Sequence, residues 1–162
     1  MQLSLRPALE ADIGFCESLS RANMAHYHAA RGVEWNPHRF VAAWSGFENH
    51  LVVADDEVAG LLRLLAAGDA LDIRDLQLLP AHRGKGIGTW AVARTIDEAA
   101  ARGFGIVRLR VFRESPALRL YRRLGFATDS VDAAGKVHMS YAVSGAQPAP
   151  GDAPRRPAGP HS

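Results

Sequence analysis

A chain of 162 residues with 48% hydrophobic content is long enough to bury one core and too short to require a second domain. Its net charge of +2, with no long basic run interleaved with aromatics, gives no footprint for nucleic acid; its apolar runs fall far below a membrane span and residues 1–6 lack a secretory apolar stretch, so a cytoplasmic protein without a membrane partner is expected. The single cysteine, Cys16, excludes a disulfide framework and a cysteine metal site, and no metal is expected.

Residues 3–6 read as a short strand ended by Pro7. From Ala8 to about Arg31 the pattern is helical, with Asp12 near its start, Ile13, Cys16, Leu19 and Met24 as its apolar stripe, and Gly32 as its stop. Residues 37–47 read as a second short helix or turn. Two apolar runs, 50–54 and 58–67, are joined by Asp55-Asp56-Glu57, a hairpin composition, and Gly68-Asp69 turns the chain into a third strand over 70–79 that Pro80 ends. A glycine-rich turn, 81–88, and a long alanine-rich helix to Gly103 follow. Residues 105–112 alternate apolar and basic side chains as a strand does, 115–124 form a helix with Pro116 in its first turn, and 126–131 and 136–143 are strands either side of the 132–135 turn. These elements make a single α+β domain over 1–143. The remainder, 144–162, is Pro, Gly and Ala with almost no large apolar side chain, and disorder is expected there.

The stretch 76–103 carries the chemistry. Gly84, Gly86 and Gly88 let backbone amides approach a ligand, the first amides of the following helix have no internal partner, and Arg83 and Lys85 add positive charge. Together they make a seat for an anion, with phosphate the usual guest. A Walker loop is excluded, since it needs Lys then Ser or Thr after its last Gly and here Gly88 is followed by Thr89 and Trp90. A Rossmann turn fails at its third glycine, where Thr89 stands, and no second βαβ half follows.

What remains, Arg83-Gly84-Lys85-Gly86-Ile87-Gly88 preceded by Leu-x-Pro, resembles the pyrophosphate loop of the GNAT superfamily, the acyl-CoA-dependent N-acyltransferases. Leu120-Tyr121-Arg122-Arg123-Leu124-Gly125-Phe126 is similar to that superfamily's second signature, Leu-Tyr-x-x-x-Gly-Phe. The resemblance implies a mixed, mostly antiparallel central sheet flanked by helices, with a V-shaped cofactor cleft. It implies acetyl-CoA as acyl donor, a primary amine of a small molecule or protein terminus as acceptor, and is compatible with a homodimer. An acyl-CoA-binding module that has lost transfer is the alternative reading.

The same resemblance implies roles. The pyrophosphate would lie on amides of residues 84–89, and the pantetheine arm would pair with the backbone around Leu76, Gln77 and Leu78. Tyr121 would be the general acid for the leaving thiolate. Glu114 stands where the superfamily often has an Asn that contacts the pantetheine arm. For the base, Asp72 and Asp75 are the available carboxylates; three residues apart on a strand they point to opposite faces unless a bulge intervenes, and Asp72, eleven residues before Arg83, matches the better-known placement. His26, Tyr27, His28, Glu34 and Trp35 would lie on the acceptor side. His138 in the last strand would either reach the cleft floor or sit satisfied in the core.

Overall fold

Short polar turns set up the first half of the sheet. The computed structural model describes residues 1–143; the segment 144–162, expected to be disordered, lies outside the described residues. Asp55 and Asp56 both take positive φ, 48° and 69°, which makes a two-residue hairpin turn between β2 (Glu48–Ala54) and β3 (Glu57–Ala67). β1 (Leu3–Pro7) lies outside β2, and β4 (Ala70–Leu78) returns along the other side of β3. β5 (Ile106–Phe112), β6 (Ala127–Val131) and β7 (Lys136–Ala142) complete one seven-stranded sheet in the order β1-β2-β3-β4-β5-β7-β6. Every neighbouring pair is antiparallel except β4 and β5. A parallel pair needs a crossover, which α3 (Ile87–Ala101) supplies. The sheet is therefore mixed and mostly antiparallel, flanked by helices, as the sequence implies.

α3 covers one face. Ile87, Val92 and Ala99 pack there against Leu62, Leu71 and Val107 in the larger core cluster. The other face is covered by α1 (Ile13–Ala29) and α2 (Pro37–Ala43), where Cys16, Leu19 and Phe40 meet Leu51 and Leu61. α4 (Ala117–Arg123) closes the lower edge near β5. α1 starts later than the pattern suggests. Residues 10–12 form a tight 3-10 turn instead, and the Asp12 carboxylate accepts the Leu9 N–H at 2.8 Å. α2 is capped by Asn36, whose side-chain oxygen accepts from His38 and Arg39 N–H, with Pro37 at the first helical position.

Two irregularities position the site. Gly60 on β3 lies so close to β4 that an added Cβ would stand 2.1 Å from the Gln77 carbonyl oxygen. One register step further, Arg63 faces Asp75 but Leu64 faces Ile73, so Arg74 is an extra residue, a bulge on β4. β4 and β5 pair only from Ala70 with Ile106 to Ile73 with Leu109. Beyond the bulge β4 stays with β3 while β5 stays with β7, through Phe112 opposite Lys136. The two halves of the sheet part there and leave a V-shaped gap.

Candidate active site

The gap opens into a cleft of about 640 Å³ walled by the far end of β4, the far end of β5, α1 and α4. The N-terminus of α3 stands at its mouth, and Arg83 and Gly88 both line it. Gly84 and Gly86 have φ of 72° and 82°, conformations that glycine adopts without strain, and a Cβ on either would meet no atom within 4 Å. Conformation rather than crowding thus demands glycine here. The first helical bond runs from the Trp90 N–H to the Gly86 carbonyl, 3.0 Å, so the amides of Ile87, Gly88 and Thr89 have no helical acceptor. Gly84, Lys85 and Gly86 are exposed, Thr89 is half-buried, and the Ile87 side chain is buried in the core beneath the turn. Unpaired amides, the positive end of a fifteen-residue helix and two cationic side chains fit a phosphate.

β4 presents backbone to the gap as well. The Leu79 N–H bonds back to Ala59 on β3, 2.9 Å, so by the period of two the polar backbone groups of Leu78 and Leu76 turn away from β3. The Leu78 carbonyl accepts there from Asn23 Nδ2 of α1 at 3.0 Å. Leu76, Gln77 and Leu78 all line the cleft.

The two carboxylates weighed from sequence are placed differently. Asp72 faces Leu65 and Asp75 faces Arg63, and those partners are two residues apart on β3, so the Arg74 bulge puts both carboxylates on the α1 side of the sheet. The expectation of opposite faces is corrected by that extra residue. Only Asp75 lines the cleft. Its Oδ1 accepts from Gln77 Nε2 at 2.7 Å and its Oδ2 from Ser20 Oγ at 3.2 Å, while Arg63 Nη1 stands 4.0 Å away. Burial pushes the Asp75 carboxyl above the ordinary aspartate range, against the hydrogen bond from Gln77 and the nearby Arg63 charge. Asp72 is clamped by Arg108, with Nε to Oδ1 at 2.8 Å and Nη2 to Oδ2 at 3.1 Å. It lines a second, smaller cavity of about 390 Å³ built from strand residues alone.

Tyr121 enters from α4 and is 8% exposed, its ring tilted against Phe126 at 6.0 Å between centroids. Burial first, then the Asp75 charge, push its hydroxyl up to about 12. It therefore stays protonated across the physiological range, in the form that can donate a proton. Lys136 lines the same cleft and is lowered by burial and by Arg110.

Glu114 does not line the cleft. Arg31, at the end of α1, takes both of its oxygens at 2.8 and 2.9 Å, stacks over the Phe112 ring at 3.9 Å and donates to the Ala134 carbonyl at 2.6 Å. That guanidinium holds the Glu114 carboxyl down at about 2. The loop before α4 is thereby tied to α1, and Ser115 Oγ accepts the Ala117 N–H at the helix start. On the acceptor side His26 and Tyr27 line the cleft, Tyr27 stacked on Phe112 at 5.1 Å. His28 packs on Trp35, whose indole donates to Glu17 at 2.6 Å, and neither lines the cleft. Glu34 is absent from the cleft lining too. His138 meets Asp132 at 2.9 Å and lines the second cavity.

Four cleft neighbours escaped the sequence reading: Ser20, Asn23, Arg63 and Lys136. Ser20, Asn23 and Tyr27 share a helix face at spacings of three and four, a polar file beside the apolar stripe. Arg63 interrupts Leu61-Leu62-Arg63-Leu64-Leu65, and a charge inside such a run signals a buried partner.

The acetyltransferase (GNAT) family profile matches residues 16–126. The streptothricin acetyltransferase of Streptomyces lavendulae is 40% identical over 86 residues, 51% of this chain and 46% of the relative, so the chain matches about half of that protein's length. Among solved structures, the Thermoplasma acidophilum PaiA N-acetyltransferase in complex with coenzyme A superposes with a TM-score of 0.69 at 18% identity, over 88% of this chain and 99% of that one. The Vibrio cholerae spermidine N-acetyltransferase in complex with CoA and spermine gives 0.71 at 18% identity, over 90% and 98%.

Proposed function

Since the chain belongs to the acetyltransferase (GNAT) family, we propose that it moves an acetyl group from acetyl-CoA to a primary amine of a small molecule or peptide, with Asp75 as base and Tyr121 as general acid. The observation that carries this reading is the position of those two side chains in one cleft, where the sheet parts behind the anion-binding turn. Acetyl-CoA supplies the acyl group as a thioester, with its diphosphate on the amides of residues 84–89 and its pantetheine arm along Leu76 and Leu78. Asp75 takes a proton from the acceptor's ammonium group, which frees the nitrogen lone pair. The new C–N bond forms as the C–S bond breaks, Tyr121 gives its hydroxyl proton to the leaving sulfur, and the nitrogen's second proton restores Tyr121 or passes to water. The products are the acetamide, the free thiol and one released proton. Asp72, fixed by Arg108 outside the cleft, is not given the base role.

The partial match to streptothricin acetyltransferase supports a small-molecule acceptor. A single domain over residues 1–143 and a cytoplasmic location belong to the same reading; among the described residues no helix is long and apolar enough to cross a membrane. The test is thiol release from acetyl-CoA across a panel of polyamines, aminoglycoside-like amines and peptide N-termini. Asp75→Asn is expected to keep acetyl-CoA affinity and to lower kcat/KM by about 100-fold or more, the range for a lost general base. Tight acetyl-CoA binding with no transfer to any amine would favour the binding module instead.

A further inference from the structure

The polar side chains between the anion turn and Asp75 form one unbroken chain. Arg83 Nη2 donates to Asn23 Oδ1 at 2.6 Å, Asn23 Nδ2 donates to Gln77 Oε1 at 3.1 Å, and Gln77 Nε2 donates to Asp75 Oδ1 at 2.7 Å. Its direction is fixed by chemistry. A guanidinium can only donate, so Asn23 must turn its oxygen to Arg83 and its amide to Gln77; Gln77 must then accept from Asn23 and donate to Asp75. Reversing either amide would set donor against donor. The second Asn23 contact, to the Leu78 carbonyl at 3.0 Å, anchors the middle of the chain to the strand that lines the cleft.

We propose that Asn23 and Gln77 are positioning residues that couple Arg83 of the anion turn to Asp75, so that loading the turn with a phosphate makes Asp75 a readier proton acceptor. This rests on the function proposed above. The physical basis is polarisation along a hydrogen-bonded chain that runs from the exposed Arg83 into the part-buried cleft, where each bond strengthens the next. With the turn empty, the Arg83 charge is felt at the far end as a stronger bond from Gln77 to the carboxylate, which favours the ionised form. The negative charge of a diphosphate on Arg83 offsets that charge, relaxes the chain and raises the proton affinity of Asp75 only once the donor is in place. The proton enters at Oδ2, because Oδ1 stays committed to Gln77, while the Ser20 hydroxyl on Oδ2 can turn from donor to acceptor.

The other groups around Asp75 are the same with or without this chain. They are Arg63 from β3, Cys16 from α1, Tyr121 from α4 and Lys136 from β7. A merely structural role for Asn23 and Gln77 would leave the ionisation of Asp75 unmoved.

The experiment titrates the Asp75 carboxyl carbon by NMR, assigned through Asp75→Asn, in the free protein and with saturating coenzyme A. Wild type is compared with Gln77→Leu, Gln77→Ala, Asn23→Leu, Asn23→Ala and Arg83→Met, each first checked for a native amide spectrum. In the free protein Gln77→Leu is expected to raise the Asp75 midpoint by roughly one pH unit, the loss of one hydrogen bond to a carboxylate. Coenzyme A is expected to raise the wild-type midpoint by more than it raises that of Asn23→Leu, in which only the direct field of the phosphates remains. In the double-mutant cycle the effect of Arg83→Met should shrink to the direct field of its charge once Asn23 is gone. An unmoved midpoint in Gln77→Leu and Gln77→Ala with normal coenzyme A binding would overturn the relay alone, as would an equal coenzyme A shift in wild type and Asn23→Leu. No coenzyme A binding to the wild type would overturn the functional reading and the coupling together.

Discussion

Replacing Gly86 by glutamate, with Gly86→Ala beside it, separates the two things that residue does. At φ 82° any side chain is strained, and a left-handed conformation costs an L-residue about 1–2 kcal/mol. No atom lies within 4 Å of a Cβ there, so no clash adds to that cost and both variants should fold with the same turn. For a domain of this size the strain lowers Tm by roughly 2–8 °C, equally in both. Affinity should split them. A carboxylate about 6 Å from one phosphate charge repels it by about 0.7 kcal/mol in water and about 3 kcal/mol at an effective dielectric constant near 20. That is roughly 3-fold to 150-fold weaker binding of acetyl-CoA to Gly86→Glu than to Gly86→Ala, read by isothermal titration calorimetry. The gap should narrow as salt is raised, since the turn is exposed. Equal affinity in the two variants at low salt would refute an anion site on this turn.

Three further outcomes follow from the geometry. Tyr121→Phe keeps the ring against Phe126 and removes only the hydroxyl, so acetyl-CoA affinity should hold while kcat falls at least about tenfold; unchanged turnover would remove Tyr121 from the proton path. Gly60→Ala puts a Cβ 2.1 Å from the Gln77 carbonyl oxygen, forces β3 off β4 and should cost about 1–3 kcal/mol or more in denaturant melts, whereas a neutral result would mean that the strands part at no cost. Glu114 and Asp132 are both held down at about 2 by their partners, Arg31 and His138. Folded values below the unfolded range near 4 mean that both stabilise the fold above about pH 4 and lose that effect as pH falls towards 2; Glu114→Gln should flatten the acid limb of Tm against pH, and an identical limb would contradict the pairing.

Much of the fold and of the cofactor half of the cleft was legible because it depends on backbone conformation that few residues can supply. Glycines at 84 and 86, proline at 80 and the apolar runs on either side leave little choice but strand, anion turn and helix. The place of Tyr121 was legible only through the resemblance of Leu120–Phe126 to a family signature, in which Gly125, at φ 103°, follows the end of α4. The polar contacts of the cleft were not legible. Asn23 and Gln77 are distant in sequence and meet only because α1 crosses β4, and nothing in a short polar helix face says which strand it will face. Glu114 stands where the resemblance implies an Asn on the pantetheine arm, yet here a bidentate arginine holds it away from the cleft, and Arg31 lies 83 residues away in the chain.

The bulge at Arg74 is the feature on which the chemistry turns, and a strict period of two hides it. Were Arg74 paired in a regular ladder, Asp72 and Asp75 would face opposite sides and β4 could continue beside β5 past Ile73. With the bulge, both carboxylates turn towards α1, and the strand bends away from its parallel neighbour at the same step. The carboxylate just before the bulge remains where β4 and β5 are still paired, so the nearest cation on β5, Arg108, neutralises it. The carboxylate just after it lies where the strands have parted, so it is left to a serine, a glutamine and a buried arginine that keeps one nitrogen, Nη2, without a partner among the described residues. The two aspartate side chains are almost equally exposed, 16% and 18%, but Asp72 spends both oxygens on one arginine outside the cleft. Asp75 takes two neutral donors inside the cleft and burial raises its carboxyl, and that difference in surroundings, rather than position in a motif, is what favours Asp75 for the proposed base role.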